Sequence, residues 1–226
     1  MFFPERITKI KPDDKVLEIG PGADPYPRSD VLLEISLKDD SEYAAQFGHN
    51  RKLITDKKLI FYSGKTFPFE DGSFDYIICS HVLEHVEDVD FFISEIFRVG
   101  KRGYIEYPTV YYEYLYNIDK HLNYLKYDDQ VLWFLKKQKT SLNEFKPVQN
   151  FLLQTLDNGH STLINDLITF FMEGFEWEVN FKVEEVNDIS KVCPINTIVP
   201  MFQPITFPPL SASQLLRQLI RKVIGK

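Results

Sequence analysis

Between Lys15 and Glu34 the chain reads KVLEIGPGADPYPRSDVLLE, and this stretch limits what the rest can build. Two short apolar runs, residues 16–19 and 31–35, each carry one acid, Glu18 and Glu34. Continuous apolar runs of this length, bounded by turn residues, read as strands buried on both faces. Gly20-Pro21-Gly22 follows the first run, and a glycine turn lets the main chain lie against a ligand where any Cβ would collide. Two such strands with an acid late in the second describe the ligand-binding edge of a doubly wound α/β sheet. Only residues 23–30 lie between the glycine turn and the second run, and they include Pro25 and Pro27. A crossover between parallel strands usually takes a dozen or more residues, most often helical. The first crossover helix is therefore expected to be stunted or missing.

The pattern continues in the same sense. Pro12-Asp13-Asp14 makes a turn before the first strand. Residues 41–47 have room for one or two helical turns stopped by Gly48. Residues 59–62 read as a third strand, residues 63–75 as a loop with a turn at Asp71-Gly72, and residues 76–79 as a fourth strand. The segment SHVLEHVEDVD, residues 80–90, opens a helix with Asp88 as N-cap and Gly100 as its stop. Lys101 and Arg102 sit where the helix dipole favours cations. Residues 103–107 make a fifth strand. Strand, loop, strand, loop, strand, helix, strand is an α/β arrangement with a mostly parallel sheet.

Beyond Pro108 the chain is an elaboration. Eight of the twelve tyrosines lie between Tyr104 and Tyr127, a composition that suits half-buried packing. Residues 122–127 and 131–136, joined through Asp128-Asp129-Gln130, form a hairpin. Ser141-Leu142-Asn143-Glu144 has capping-box form. Helices are expected at 147–156 and 161–172, with Asn158-Gly159 between them. The alternation of Trp177, Val179, Phe181 and Val183 with polar residues predicts a half-buried strand, and residues 193–210 are proline-punctuated and extended. The expected organisation is one domain over 1–210 (core 15–108, hairpin and helices 109–172) and a basic amphipathic tail over 211–226. That tail carries four cations and no acid beside an apolar stripe, which favours anionic membrane surfaces.

A chain of 226 residues with 44% hydrophobic content buries one sizeable core. A net charge of −7 argues against a general nucleic-acid binder. Two cysteines are too few for a disulfide framework, and Cys79 is expected as a buried free thiol. Neither a signal-peptide core nor a bilayer-spanning run is present. The expectation is a cytoplasmic protein, with peripheral contact at the inner membrane surface through its tail.

The run FPFEDGSFDYIICSHVLEHVEDVDFFISEIFRVGKRGYIEYP, together with VLEIGPG and the acid of VLLEIS, resembles the class I S-adenosylmethionine-dependent methyltransferases, in particular the type 11-like group. The resemblance spans roughly residues 15–108. It implies a Rossmann-like sheet, S-adenosylmethionine as cofactor, and a small-molecule or glycan acceptor. Residue by residue it implies that Glu18, Gly20 and Gly22 line the methionine and ribose side and that Glu34 takes the ribose hydroxyls. Ser63, beside Gly64, stands where the family usually has an adenine-contacting aspartate, and a third glycine of the loop is absent. Ser80 and His81 would face the methyl donor and acceptor, with His81 and His85 as the candidate catalytic residues.

A sulfonium methyl is already activated, so transfer mainly needs donor and nucleophile positioned in line. A base near neutrality, a role open to histidine, is the one further requirement an oxygen or nitrogen acceptor adds. Glu84, between the two histidines, reads as a cap or a solvated acid. His49, His121 and His160 are scattered, and no His/Cys/Asp spacing indicates a structural zinc site. Two other readings compete. A nicotinamide-dependent oxidoreductase would hold its pyrophosphate on the first crossover helix, where Pro25 and Pro27 stand. A non-catalytic member would keep the fold as a binding module.

Overall fold

The computed structural model describes residues 1–36 and 53–193. In chain order these form β1 (Val16–Ile19), β2 (Val31–Ile35), β3 (Lys58–Tyr62) and β4 (Tyr76–Ser80). Then come α1 (Val89–Val99), β5 (Gly103–Pro108), α2 (Val110–Tyr116), β6 (Asn123–Asp128) and β7 (Val131–Lys136). The last are α3 (Lys146–Asp157), α4 (Thr162–Asp166), α5 (Ile168–Phe171), β8 (Met172–Trp177) and β9 (Lys182–Glu185). Six strands make one sheet in the order β3-β2-β1-β4-β5-β8, in which only β8 runs antiparallel. A smaller sheet has the order β6-β7-β9.

The two faces of the large sheet are covered differently. On one face α1 packs Val89, Ile93 and Ile96 with Leu17, Ile19, Ile77 and Cys79, and the small sheet adds Leu125, Leu132 and Phe134 to the same core. On the other face Val16, Tyr76, Ile78 and Tyr104 are covered by Ile7, Ile10 and Tyr26. The lead-in and the first crossover thus do the covering that a helix would do, and residues 20–30 contain no helix, as their prolines predict. Two charges hold that crossover in shape. The buried Glu18 carboxylate accepts from Tyr26 N at 2.8 Å and Ser29 Oγ at 2.7 Å. Lys57 Nζ donates to the Pro27 carbonyl at 2.7 Å and to that of Ser29.

Helix α1 begins where its cap predicts, with Asp88 Oδ1 accepting from Phe91 N at 3.0 Å. The β6–β7 hairpin closes over two residues, Asp129 and Gln130, both at positive φ (47° and 62°), the geometry of a type I′ turn. Cys79 is a buried free thiol. Among the described residues no helix is long and apolar enough to cross a membrane.

Four expectations need correction. Residues 80–88 do not open the helix: His81 takes the left-handed conformation (φ 57°), which breaks helical propagation, and a single 3₁₀ turn (Leu83–His85) follows. Ser141 makes no capping bond, because residues 142–145 form a 3₁₀ turn that leads into α3. The helix expected at 161–172 is split at Leu167 into α4 and α5, and Met172 already belongs to β8. The single strand expected over 177–183 is divided: Trp177 ends β8, Lys182 and Val183 begin β9, and residues 178–181 connect the two, with Val179 73% exposed. Trp177 and Phe181 are both buried, but they reach the core from opposite ends of that connection. There they meet the Phe97 ring at 5.1 and 4.9 Å. The helical turns expected at 41–47, the extended stretch beyond 193 and the 211–226 tail lie outside the described residues.

The loop between β3 and β4 is tied to α1 by the side chains of Arg98 and Glu95. Arg98 donates to the carbonyls of Phe69 (2.7 Å) and Phe67 (3.1 Å) and to Glu95 Oε1 (2.7 Å), and it pairs with Asp71. Glu95, itself buried, accepts from Phe67 N at 2.7 Å. Hydrogen bonds to charged groups are worth about 1.5–3 kcal/mol. Arg98→Ala should therefore lower urea stability by about that amount, with the loss reproduced by Arg98→Lys, whose ammonium lacks the fork. An unchanged unfolding midpoint in either variant would contradict this role.

Candidate functional site

The carboxyl ends of β1, β2 and β4 and the loop after β3 surround a cavity of about 540 Å³. Its position, with β1 flanked by β2 on one side and β4 on the other, is the crevice where open α/β sheets bind ligands. Gly20, Glu34, Ser63, Gly64, His81 and His85 all line it, with Phe91 and Phe92 of α1 closing one wall. Gly20 has φ +63°, and a Cβ there would stand 2.5 Å from Val82 Cγ2, so a side chain is excluded twice over. The other expected residues are elsewhere. Glu18 is turned to the crossover it braces, and Ser80 Oγ donates to Glu106 Oε1 at 2.9 Å. Gly22 has φ +59° and does not line the cavity.

Glu34 is 7% exposed, and among the described residues only its neighbour Ile35 donates to it, N to Oε1 at 2.8 Å. Burial pushes its carboxyl up to about 7, and the bond from Ile35 only partly offsets this. A carboxylate held at a cavity edge with little internal satisfaction is poised for donors supplied by a ligand.

His81 lies between two acids. Its backbone N donates to the Glu106 carbonyl at 2.8 Å, its Nε2 is 3.0 Å from Glu106 Oε1, and its Nδ1 is 3.3 Å from Glu84 Oε1. Burial alone would lower its pKa, but the Glu106 and Glu84 partners prevail and hold it at about 9. His81 is thus held as an imidazolium at neutral pH, with Nε2 on Glu106 and Nδ1 facing Glu84. Glu106, fully buried, also accepts from Phe2 N (2.7 Å), Phe3 N (2.9 Å) and Tyr104 Oη (2.8 Å). Burial would raise its pKa, yet His81 and these donors bring it down to about 2.

His85 has a different setting. Its Nδ1 is 3.1 Å from the Lys120 carbonyl, so that nitrogen carries the proton and Nε2 does not. Desolvation lowers its pKa, against the pull of Glu84. Its ring meets His121 edge-on at 4.6 Å. His121 Nδ1 bonds Glu113, a fully buried acid that also pairs with Lys137 at 3.0 Å. Glu84 is neither a cap nor solvated: it is 0% exposed. His121 and Lys137 line a second, polar cavity of about 420 Å³, and Glu87 borders both cavities.

Glu106, Glu84 and Glu113 are the functional-site residues that pattern reading missed. A signal existed for Glu106, an acid in the middle of the buried strand GYIEYP. Glu113 gave none beyond its place among tyrosines.

The chain matches the family profile described as "Methyltransferase domain" over residues 31–105. It is 31% identical over 99 residues to the uncharacterized protein MJ1123 of Methanocaldococcus jannaschii, covering 44% of this chain and 45% of that one. Among solved structures it is similar to the YcgJ protein of Bacillus subtilis (22% identity, TM-score 0.36, 50% of this chain and 53% of that one). A second is a SAM-dependent methyltransferase from Aquifex aeolicus (18% identity, TM-score 0.33, 47% and 64%). The chain thus spans about half the length of the relatives it matches. The matched segment runs from β2 to β5 and so contains Glu34, Ser63, His81 and His85 of the cavity. Over residues 31–105 the chain is thus similar to the methyltransferase-domain family.

Proposed function

We propose that the chain transfers a methyl group from S-adenosylmethionine to a small, polar acceptor, a glycan or similar hydroxyl-bearing molecule. The observation that carries this reading is Glu34: a buried carboxylate at the end of β2, on the cavity wall, with only a backbone partner among the described residues. Vicinal hydroxyls of a ribose would supply the donors it lacks. Ser63 and Gly64 would border the base, and the missing Cβ of Gly20 lets a ligand approach the end of β1. When bound, the cofactor supplies a methyl group already activated on sulfur. The remaining work of the protein is positioning. His81, held as a cation by Glu106 and Glu84, sets a positive field at the end of β4.

The acceptor class rests on the second cavity. Its lining of Asn117, Asp119, Lys137 and Asn143 offers both donors and acceptors of hydrogen bonds, which suits a hydroxyl-rich molecule better than an apolar one. His85 borders the first cavity with one ring nitrogen unprotonated, which can serve there as a base or as a metal ligand but not as both. The helix-less crossover speaks against a dinucleotide, because no helix N-terminus stands ready for a pyrophosphate.

Calorimetry with S-adenosylhomocysteine tests the reading. Loss of a charge-assisted pair of hydrogen bonds costs about 1.5–3 kcal/mol, so Glu34→Ala should bind roughly ten- to a hundredfold more weakly than the parent. Unchanged affinity would exclude the ribose role, and a parent chain that binds neither cofactor form would leave a scaffold.

A second expectation follows from the raised carboxyl of Glu34. In the free protein it is largely protonated below about pH 7, and hydroxyl donors favour the ionised form, so binding should release a proton. Affinity should rise as pH increases toward 7 and level off above it. At pH 6, binding enthalpies measured in buffers of different ionisation enthalpy should reveal that proton for the parent and not for Glu34→Gln. Identical buffer dependence of the two proteins would contradict it.

A further inference from the structure

Glu84 has an unusual position for an acid. It is fully buried, and among the described residues neither carboxylate oxygen has an aligned hydrogen bond, although His81 Nδ1 approaches Oε1 to 3.3 Å. Its two buried neighbours are better served: Glu106 has His81 and a set of neutral donors, and Glu113 has His121 and Lys137. A buried carboxylate left with bare oxygens costs several kcal/mol in general. A compensating positive charge is therefore expected at Glu84 beyond the imidazolium of His81.

Two nitrogen ligands converge on the same spot. One ligand atom each from Glu84, His85 and His121 lie within 4.8 Å of one another. Both histidines are braced at Nδ1, His85 on the Lys120 carbonyl and His121 on Glu113. This is the arrangement that fixes a metal-ligating imidazole: one ring nitrogen held by a carbonyl or carboxylate, the other left to bind. The two chain segments are joined at this point as well, since Leu122 N donates to the Glu84 carbonyl. The three residues stand in the wall between the two cavities, His85 bordering one and His121 the other.

We propose that Glu84, His85 and His121 bind one divalent transition-metal ion, of the zinc or iron(II) type, at the boundary between the cofactor and acceptor cavities. Two imidazoles and one carboxylate are a donor set suited to these metals rather than to magnesium or calcium, which prefer oxygen alone. Three protein ligands leave at least one coordination position for a water or an oxygen of the acceptor. The metal site itself does not depend on the acceptor reading: it stands on Glu84 and the two braced rings.

The test uses the full chain, free of any polyhistidine tag, stripped with a chelator and titrated with Co²⁺ and then Zn²⁺. The expected result is one equivalent of Co²⁺ with the intense visible bands of a four- or five-coordinate ion, displaced stoichiometrically by Zn²⁺. Glu113→Gln, which loosens the brace and leaves the ligands intact, should weaken binding about ten- to a hundredfold. His121→Ala and Glu84→Gln should weaken it further. Circular dichroism on each variant separates loss of the site from loss of the fold. A parent chain that takes up no equivalent of Co²⁺, or shows only the pale spectrum of the hydrated ion, would overturn the site. So would folded His121→Ala and Glu84→Gln variants that bind as the parent does. These readouts need neither cofactor nor acceptor, so the metal site and the methyltransferase reading can fail separately.

Discussion

A carboxylate in the interior of a protein must be surrounded by donors or it will not stay ionised, and Glu106 meets that condition by gathering distant parts of the chain. Its two oxygens collect Phe2 N and Phe3 N from the amino terminus, Ser80 and His81 from the end of β4, and Tyr104 from its own strand. The amino terminus, whose Ile7 and Ile10 cover one face of the sheet, is anchored there. His81 is fixed at both ends, by its backbone on the Glu106 carbonyl and by its ring on the carboxylate. A left-handed backbone at a non-glycine residue is uncommon and carries a cost. Here it is the conformation that brings the ring back onto Glu106 and turns the following residues toward the cavity.

Electrostatics, more than packing, therefore separates this site from an ordinary sheet edge. Three buried acids, Glu84, Glu106 and Glu113, stand within one region shared by β5, α2 and the turn after β4. They divide the histidines between them: His81 is charged, and His85 has its proton assigned by a carbonyl. The crossover after β1 uses the same device on a smaller scale, where Glu18 and Lys57 replace helix hydrogen bonds with side-chain ones. Dispensing with that helix gives up its anion-binding N-terminus, a loss that matters for a pyrophosphate and not for a sulfonium cofactor.

Much of this was legible in the residues. Short apolar runs with turn residues between them located β1 to β5, because strands buried on both faces are mostly apolar, although β3, at the edge of the sheet, is partly exposed. Pro25 and Pro27 announced the missing helix, and Glu34 and Gly20 were readable from their places at strand ends. The strand expected at 177–183 failed for a physical reason: Trp177 and Phe181 alternate correctly but converge on Phe97 from opposite ends of a connection. The buried acids were hidden for another reason. Whether a glutamate is solvated or interior depends on donors that arrive from up to 104 positions away, as Phe2 does for Glu106, and no local pattern reports them. Glu84 is the sharpest case, an acid that reads as a cap or as solvated and is 0% exposed.

The end of β4 depends on the His81–Glu106 contact as a buried ion pair. A double-mutant cycle in urea unfolding, with His81→Asn, Glu106→Gln and the two combined, measures it directly. Residues in one buried network couple by about 0.5–3 kcal/mol, and this pair should lie in the upper half of that range, with the double variant more stable than the sum of the single losses. Additive losses, with no coupling beyond error, would show that the two side chains are merely adjacent and would contradict that dependence.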